Sequence, residues 1–233
     1  MRPAKALTVK KVFFRKGVVT FGVLITGLFS VILAILAWFG ASTGNFIVML
    51  DKTEYRRGIM LCEDGSFSKP SPRLYASSVG EIDNISYNDI DFRHVKESAG
   101  TFKDDPDFSY LAYTYYIKNA GEVPVNISYR IYITENYRNA DEAIRVLLIE
   151  NDEAERLFQK PDKVEWVYNG MPEAVYFIDD KTVCEDKITN FQPGEIRKFC
   201  VIIWLEGQDP DCTDEMLGGM IKLRMKFDID EEE

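Results

Sequence analysis

The sequence is poor in the residues that most enzymes need. It holds one histidine, His94, in 233 residues, and no HExxH, GxSxG or CxxC pattern. A serine triad needs a histidine beside a nucleophile, and a zinc protease helix needs two, so the common hydrolytic routes have nothing to carry them. No phosphate-cradling glycine loop occurs, which removes nucleotide enzymes at the level of motifs. Long Gly/Ser or Pro-rich linkers and internal repeats are also missing, so the chain beyond residue 45 is one domain's worth of sequence. From Gly17 to Leu50 there is no charge of either sign.

What is there is arranged in three regions. Arg2, Lys5, Lys10, Lys11, Arg15 and Lys16 come before any acid, leaving 22 basic against 38 acidic residues after the charge-free stretch. The formal net charge of −10 thus joins a cationic end to a body near −16. So anionic a body repels phosphate, which excludes nucleic acid as its partner. A hydrophobic content of 46% excludes disorder.

Val18 to Phe39 reads VVTFGVLITGLFSVILAILAWF, 22 residues without charge. As a helix it extends about 33 Å, enough to cross a hydrocarbon core of about 30 Å. With every early cation on its N-terminal side, the positive-inside rule keeps 1–16 cytoplasmic, makes 17–41 a transmembrane signal anchor and exports 45–233. Trp38 and Phe39 then fall at the outer interface, and Gly22, Thr26 and Ser30 form a stripe of small residues suited to helix packing. Gly40-Ala41-Ser42-Thr43 offers a signal-peptidase site as the alternative, although the apolar run is longer than most cleaved signals carry.

The exported part alternates with period two. Leu111, Tyr113, Tyr115 and Ile117, then Val125, Ile127, Tyr129, Ile131 and Ile133, read as two strands joined at Asn119-Ala120-Gly121-Glu122, predicting an antiparallel hairpin over 110–134. Ile221, Leu223, Met225 and Phe227 set against Lys222, Arg224, Lys226 and Asp228 predict a closing strand. Further strands are expected at 46–50, 58–62, 73–76, 82–87, 143–149, 164–168, 174–178 and 195–205, with two helical turns at 152–158 and one at 213–217. These make a mainly β fold, an antiparallel two-sheet sandwich of jelly-roll or immunoglobulin-like type, after one N-terminal transmembrane helix.

All four cysteines lie beyond the apolar run, where disulfides are permitted. Of the three connectivities, the fold-back at Pro193-Gly194 favours Cys184 with Cys200 and leaves Cys62 with Cys212, the first loop contributing about 3 kcal/mol. The alternative is four buried thiols, and their wide spacing excludes zinc. The loop from Trp204 to Asp214 places Glu206, Asp209, Asp211 and Asp214 on one connection, a hard-oxygen set suited to calcium without EF-hand spacing. A second acidic stretch holds Asp83, Asp89 and Asp91. Paired carboxylates also serve glycoside hydrolysis, but no sequence spacing fixes their separation. No catalytic residue and no organic cofactor are assigned. Asn84-Ile85-Ser86 and Asn126-Ile127-Ser128 match the N-glycosylation triplet.

YLAYTYYIKNAGEVPVNISYRIYI and NFQPGEIRKFCVIIWLEGQDPDCTDEMLGGMIKLRMKF, with Phe191, Pro193-Gly194, Trp204-Leu205-Glu206-Gly207 and the alternating last strand, resemble the C-terminal half of TasA/camelysin-like proteins of Gram-positive bacteria. The resemblance implies a surface-exported jelly roll, with members that assemble into matrix fibres by strand donation. An uncleaved anchor would restrict such donation by Phe46 to Leu50, and four cysteines depart from the cysteine-poor fibre proteins. The expected role is structural or protein-binding, acting through sheet edges and aromatics such as Tyr116 and Tyr132 on other surface proteins or copies of itself. A released matrix subunit and an accessory ectodomain of a membrane enzyme or transporter are the alternatives.

Overall fold

The computed structural model describes residues 21–34, 45–77, 82–103, 109–164, 166, 168 and 170–230. The chain divides into two units, Met1–Thr43 and Gly44–Glu233. In the first, residues 21–34 are helical with every side chain exposed. The stripe hydroxyls are satisfied within this helix: Thr26 Oγ1 donates to the Gly22 carbonyl at 3.0 Å and Ser30 Oγ to that of Thr26 at 2.9 Å. Among the described residues no helix is long and apolar enough to cross a membrane. The expected span 17–41 runs beyond the described residues at both ends, and 1–16 lies outside them.

The second unit is mainly β, with two mixed sheets. The first orders β10 (Thr182–Phe191), β6 (Val125–Tyr137), β12 (Met220–Ile229), β1 (Phe46–Leu50) and β3 (Arg73–Tyr75). The second orders β2 (Ile59–Cys62), β5 (Tyr110–Asn119), β11 (Ile196–Leu205), β7 (Ile144–Glu150), β8 (Ala154–Gln159) and β9 (Ala174–Tyr176), with β4 (Gly100–Thr101) also on β5. Two short helices, α1 (Lys52–Arg56) and α2 (Phe92–Glu97), complete the elements used below.

The expected all-antiparallel pairing is corrected in two places. β1 runs parallel to β12, with Phe46 opposite Leu223 and Leu50 opposite Phe227, and β9 runs parallel to β8. The two sheets share one apolar core. Phe46, Ile127, Ile131, Met225 and Phe227 from the first meet Tyr113, Tyr115, Val146, Phe199 and Val201 from the second. Phe227 lies 5.5 Å from the Phe199 ring and 6.3 Å from that of Tyr115, edge to face, a geometry that aromatic quadrupoles favour. The alternation of β6 and β12 is as expected: Ile127, Tyr129, Ile131, Leu223, Met225 and Phe227 are buried. The back of the second sheet carries a smaller cluster in which Ile90, Val95, Cys200, Ile202 and Trp204 meet.

The expected hairpin over 110–134 does not form, because β5 and β6 belong to different sheets. Asn119 is the reason. Its buried amide donates to the Phe191 carbonyl at 2.8 Å and the Val123 carbonyl at 3.0 Å, while its Oδ1 accepts from Gly121 N at 2.9 Å. This turns the chain across the core instead of back along β5. A Cβ on Gly121 would stand 2.7 Å from the Arg57 carbonyl oxygen, so only glycine fits this crossing.

The two helical turns expected at 152–158 are strand β8. Asn151 and Asp152 sit at φ of 52° and 63°, left-handed values that these residues tolerate, and they turn the chain so that Glu150 faces Ala154. Residues 82–87 make one bridge, Ile85 with Glu206, before a 3-10 turn. Val164, Trp166 and Tyr168 are outside any strand, and the residues between them lie outside the described set. The sequence pattern marks no strand over β10 and no helix over α1 or α2.

Candidate functional site

The polar centre of the domain lies where β7 begins and where β8 and β11 end. Arg145 is the second residue of β7, a strand buried on both faces. A guanidinium there must be met by acceptors, since isolated charge in an apolar interior costs several kcal/mol. Its side chain is 0% exposed, with Nη1 2.9 Å from Asp209 Oδ2 and Nη2 3.8 Å from Asp162 Oδ1. Nη1 also donates to the Ile144 carbonyl at 3.2 Å, and the guanidinium lies 4.8 Å from the centre of the Tyr168 ring.

Three carboxylates converge at this place. Asp162, Asp209 and Asp211 each direct one oxygen so that the three lie within 4.8 Å of one another. Asp209 Oδ1 accepts from Asp211 N at 2.8 Å, and Asp211 Oδ2 accepts from Lys163 N at 2.8 Å. Asp162 Oδ1 accepts from Gln159 Nε2 at 3.1 Å and from the Tyr168 hydroxyl at 3.0 Å. Burial pushes the Asp209 carboxyl above its ordinary range, a desolvation that outweighs the opposing effects of Asp211 N and Arg145. The same cause raises the Tyr168 phenol.

The pairing around Arg145 is incomplete. Arg145 Nε and Nη2, Gln159 Oε1 and Asp209 Oδ2 are buried without a hydrogen-bond partner. Asp209 Oδ2 lies 2.9 Å from Nη1 in a buried ion pair. Nearby cations are engaged with other acids: Lys160 with Asp141, Glu142 and Asp180, and Lys163 with Glu142 at 3.3 Å.

Of the four carboxylates expected to hold calcium, the structure brings two together. Asp209 and Asp211 meet Asp162, which the sequence reading did not single out. Glu206 instead accepts from the indole of Trp204 at 2.9 Å and from Gln208 N at 3.1 Å. Asp214, outside the group of three, begins an exposed 3-10 turn and lines a half-open groove of about 440 Å³ with Asp211, Arg138, Lys163 and Glu215. Asp162 and Arg145 lie far from the loop in sequence, so only the fold joins them to it. The second acidic stretch is not a cluster: Asp89 accepts from Ser86 N, and Asp91 caps α2 through His94 N and pairs with the His94 imidazole on the surface.

The expected disulfides are corrected to four free thiols. Cys184 lies in the core between the sheets, whereas Cys200 points to the opposite face of the second sheet. Cys62 donates to Asp64 at 3.3 Å, and Cys212 accepts from Asn84 at 3.9 Å, at separate places. Burial raises the thiol of Cys184 to about 12 and that of Cys200 to about 11. Of the two glycosylation triplets, Asn84 is exposed, while Asn126 is half-buried in β6 and its Oδ1 accepts from Asn190 N. Tyr116 and Tyr132, expected as exposed aromatics, are half-buried; the guanidiniums of Arg130 and Arg224 lie 5.2 and 5.9 Å from the centre of the Tyr132 ring.

Neither a family model nor a curated protein matches the chain. A solved structure, the beta-glucosidase from Kluyveromyces marxianus in complex with glucose, aligns over 82% of this chain and 18% of that chain, at 12% identity and a TM-score of 0.23. So slight a likeness carries no argument about fold or activity.

Proposed function

We propose that this is a single-pass, membrane-anchored cell-surface protein whose β domain, a two-sheet sandwich, binds another protein chain by its sheet edge. The observation that carries this reading is the outer edge of β9. It is unpaired among the described residues, it reads Ala-Val-Tyr without a charge, and Val175, Tyr176 and the following Ile178 are each more than half exposed. Open edges are usually blunted by charge. The edge strand β10 follows that rule with Glu185, Asp186 and Lys187. An apolar, uncharged edge fits an added strand, in which main-chain bonds give affinity and alternate side chains give selectivity. Val164 and Trp166, on the connection from β8, are also more than half exposed. The six N-terminal cations and the apolar, exposed side chains of helix 21–34 support the anchor.

A second reading is a released matrix subunit, the role that the TasA/camelysin resemblance implies. The compact unit begins at Gly44, directly after the small residues Gly40 to Thr43.

The test uses intact bacterial cells expressing the full chain. Externally added protease removes the domain from a membrane-held chain that retains Met1, and a photo-crosslinking residue at Tyr176 captures a protein that the same residue at Glu185 does not. A domain found in the cytosolic fraction refutes the export, and equal capture from both edges refutes the β9 assignment. A mature N-terminus near Thr43 selects the released form. A multispan partner co-purifying in mild detergent identifies an accessory ectodomain.

A further inference from the structure

We propose that Asp162, Asp209 and Asp211, with the amide oxygen of Gln159, form a calcium site at the end of the second sheet. Three buried or nearly buried carboxylates lie together and two of them, Asp209 and Asp162, face one guanidinium, so the group carries two more negative charges than positive ones. Lys160 and Lys163, the next cations along the chain, pair with Asp141, Glu142 and Asp180. An uncompensated charge of this size is met in folded proteins by a bound cation more readily than by dry protein.

Gln159 points to the ligand independently of the carboxylates. It is 4% exposed, and its Nε2 donates to Asp162 Oδ1, which holds the amide against the acidic group. Its Oε1 is left buried without a donor. A buried amide oxygen without a donor is an ordinary calcium ligand. Asp209 Oδ2 is a buried carboxylate oxygen 2.9 Å from Arg145 Nη1. Asp211 gives one oxygen to a backbone N–H and Asp162 gives one to Gln159 and Tyr168, so each has its other oxygen for a metal, while Asp209 Oδ2 would be shared between the metal and Arg145 Nη1. The spread of 4.8 Å lies inside the roughly 5 Å that separates oxygens on opposite sides of a calcium ion. An all-oxygen donor set of carboxylates and an amide suits a hard cation and not zinc or copper. Arg145 then acts as a positioning residue, holding Asp209 and Asp162 in place.

The site does not depend on where the chain resides, so its test is separate from that of the surface role. The full chain in detergent, stripped with a chelator, is titrated with calcium chloride by calorimetry. One site is expected, with a Kd between about 10⁻⁵ and 10⁻³ M. Asp162→Asn and Asp211→Asn weaken it at least about tenfold, and Gln159→Met weakens it several-fold, while Asp214→Asn and Glu215→Gln change it less than about twofold. Calcium raises the thermal midpoint of the parent chain and not that of Asp162→Asn. Circular dichroism verifies that each variant keeps its strands. Absence of binding heat up to about 10 mM calcium in a chain with native dichroism overturns the proposal. So does equal weakening by Asp214→Asn and Asp162→Asn, which marks a diffuse acidic atmosphere in place of a site.

Discussion

Replacing Arg145 by alanine removes the one buried cation that, among the described residues, faces Asp209 and Asp162. The carboxylates stay behind in a region from which water is excluded, and breaking a buried ion pair from one side costs about 3–5 kcal/mol. Loss of the guanidinium from the face of Tyr168 acts in the same direction. For a domain of this size each kcal/mol lowers the thermal midpoint by about 2–4 °C, so the variant should melt about 6–20 °C below the parent. The assay is urea unfolding of the chelated full chain in detergent, followed by the fluorescence of buried Trp204 and by dichroism. Lys187→Ala is the control, since Lys187 pairs with Asp230 in the open at 2.8 Å and such pairs are worth less than about 1 kcal/mol. Asp209→Asn in the Arg145→Ala background should return part of the loss, because it removes a stranded charge. If Arg145→Ala costs no more than Lys187→Ala, this end of the sheet is not held by buried charge.

Other outcomes follow from the same structure. Under native conditions without reductant, iodoacetamide should leave Cys184 and Cys200 unmodified, whose thiols burial raises to about 12 and 11, and should alkylate all four cysteines in urea; protection that persists in urea would reveal disulfides. Glu206→Ala leaves the buried Trp204 indole N–H without its acceptor and should cost about 1–3 kcal/mol in urea unfolding, against little for the exposed Glu215→Ala. The raised carboxyl of Asp209 makes a stabilising contribution that is fully present below its unfolded value of 3.8 and is lost as pH rises through its folded value. In calcium-free protein the stability of the parent relative to Asp209→Asn should therefore fall as pH climbs above 3.8; a rise would show that Arg145 outweighs the desolvation.

Strands with one wet face were legible before the fold was known. β6 and β12 alternate because their inner residues fill the core and their outer ones meet water, and period two records that difference. β8 exposes its first half and buries its second, so no period-two alternation marks it, although Asn151-Asp152 offers left-handed turn residues before it. The connection after β5 carried hairpin chemistry in Asn119 and Gly121; its bond to the distant Phe191 carbonyl sends it to the other sheet, and no local pattern encodes that partner. The carboxylates of the 206–214 loop were visible as a cluster, but proximity in sequence chose the wrong companions for Asp209 and Asp211. A lone arginine inside a strand of apolar residues ordinarily marks a solvent face. β7 has none, so the residue type most often found on the surface became the centre of the site.

The parallel contact of β1 with β12 has a mechanical side. A pull applied at Asn45 against one at Asp230 draws these neighbouring strands lengthwise in opposite directions. Five paired positions, from Phe46–Leu223 to Leu50–Phe227, then carry the load together and must slip at once, whereas strands peeled from one end give way bond by bond. Resistance to such stretching is set by the rate of forced opening and not by equilibrium stability. A domain held at one end and loaded at the other would have this seam as its latch.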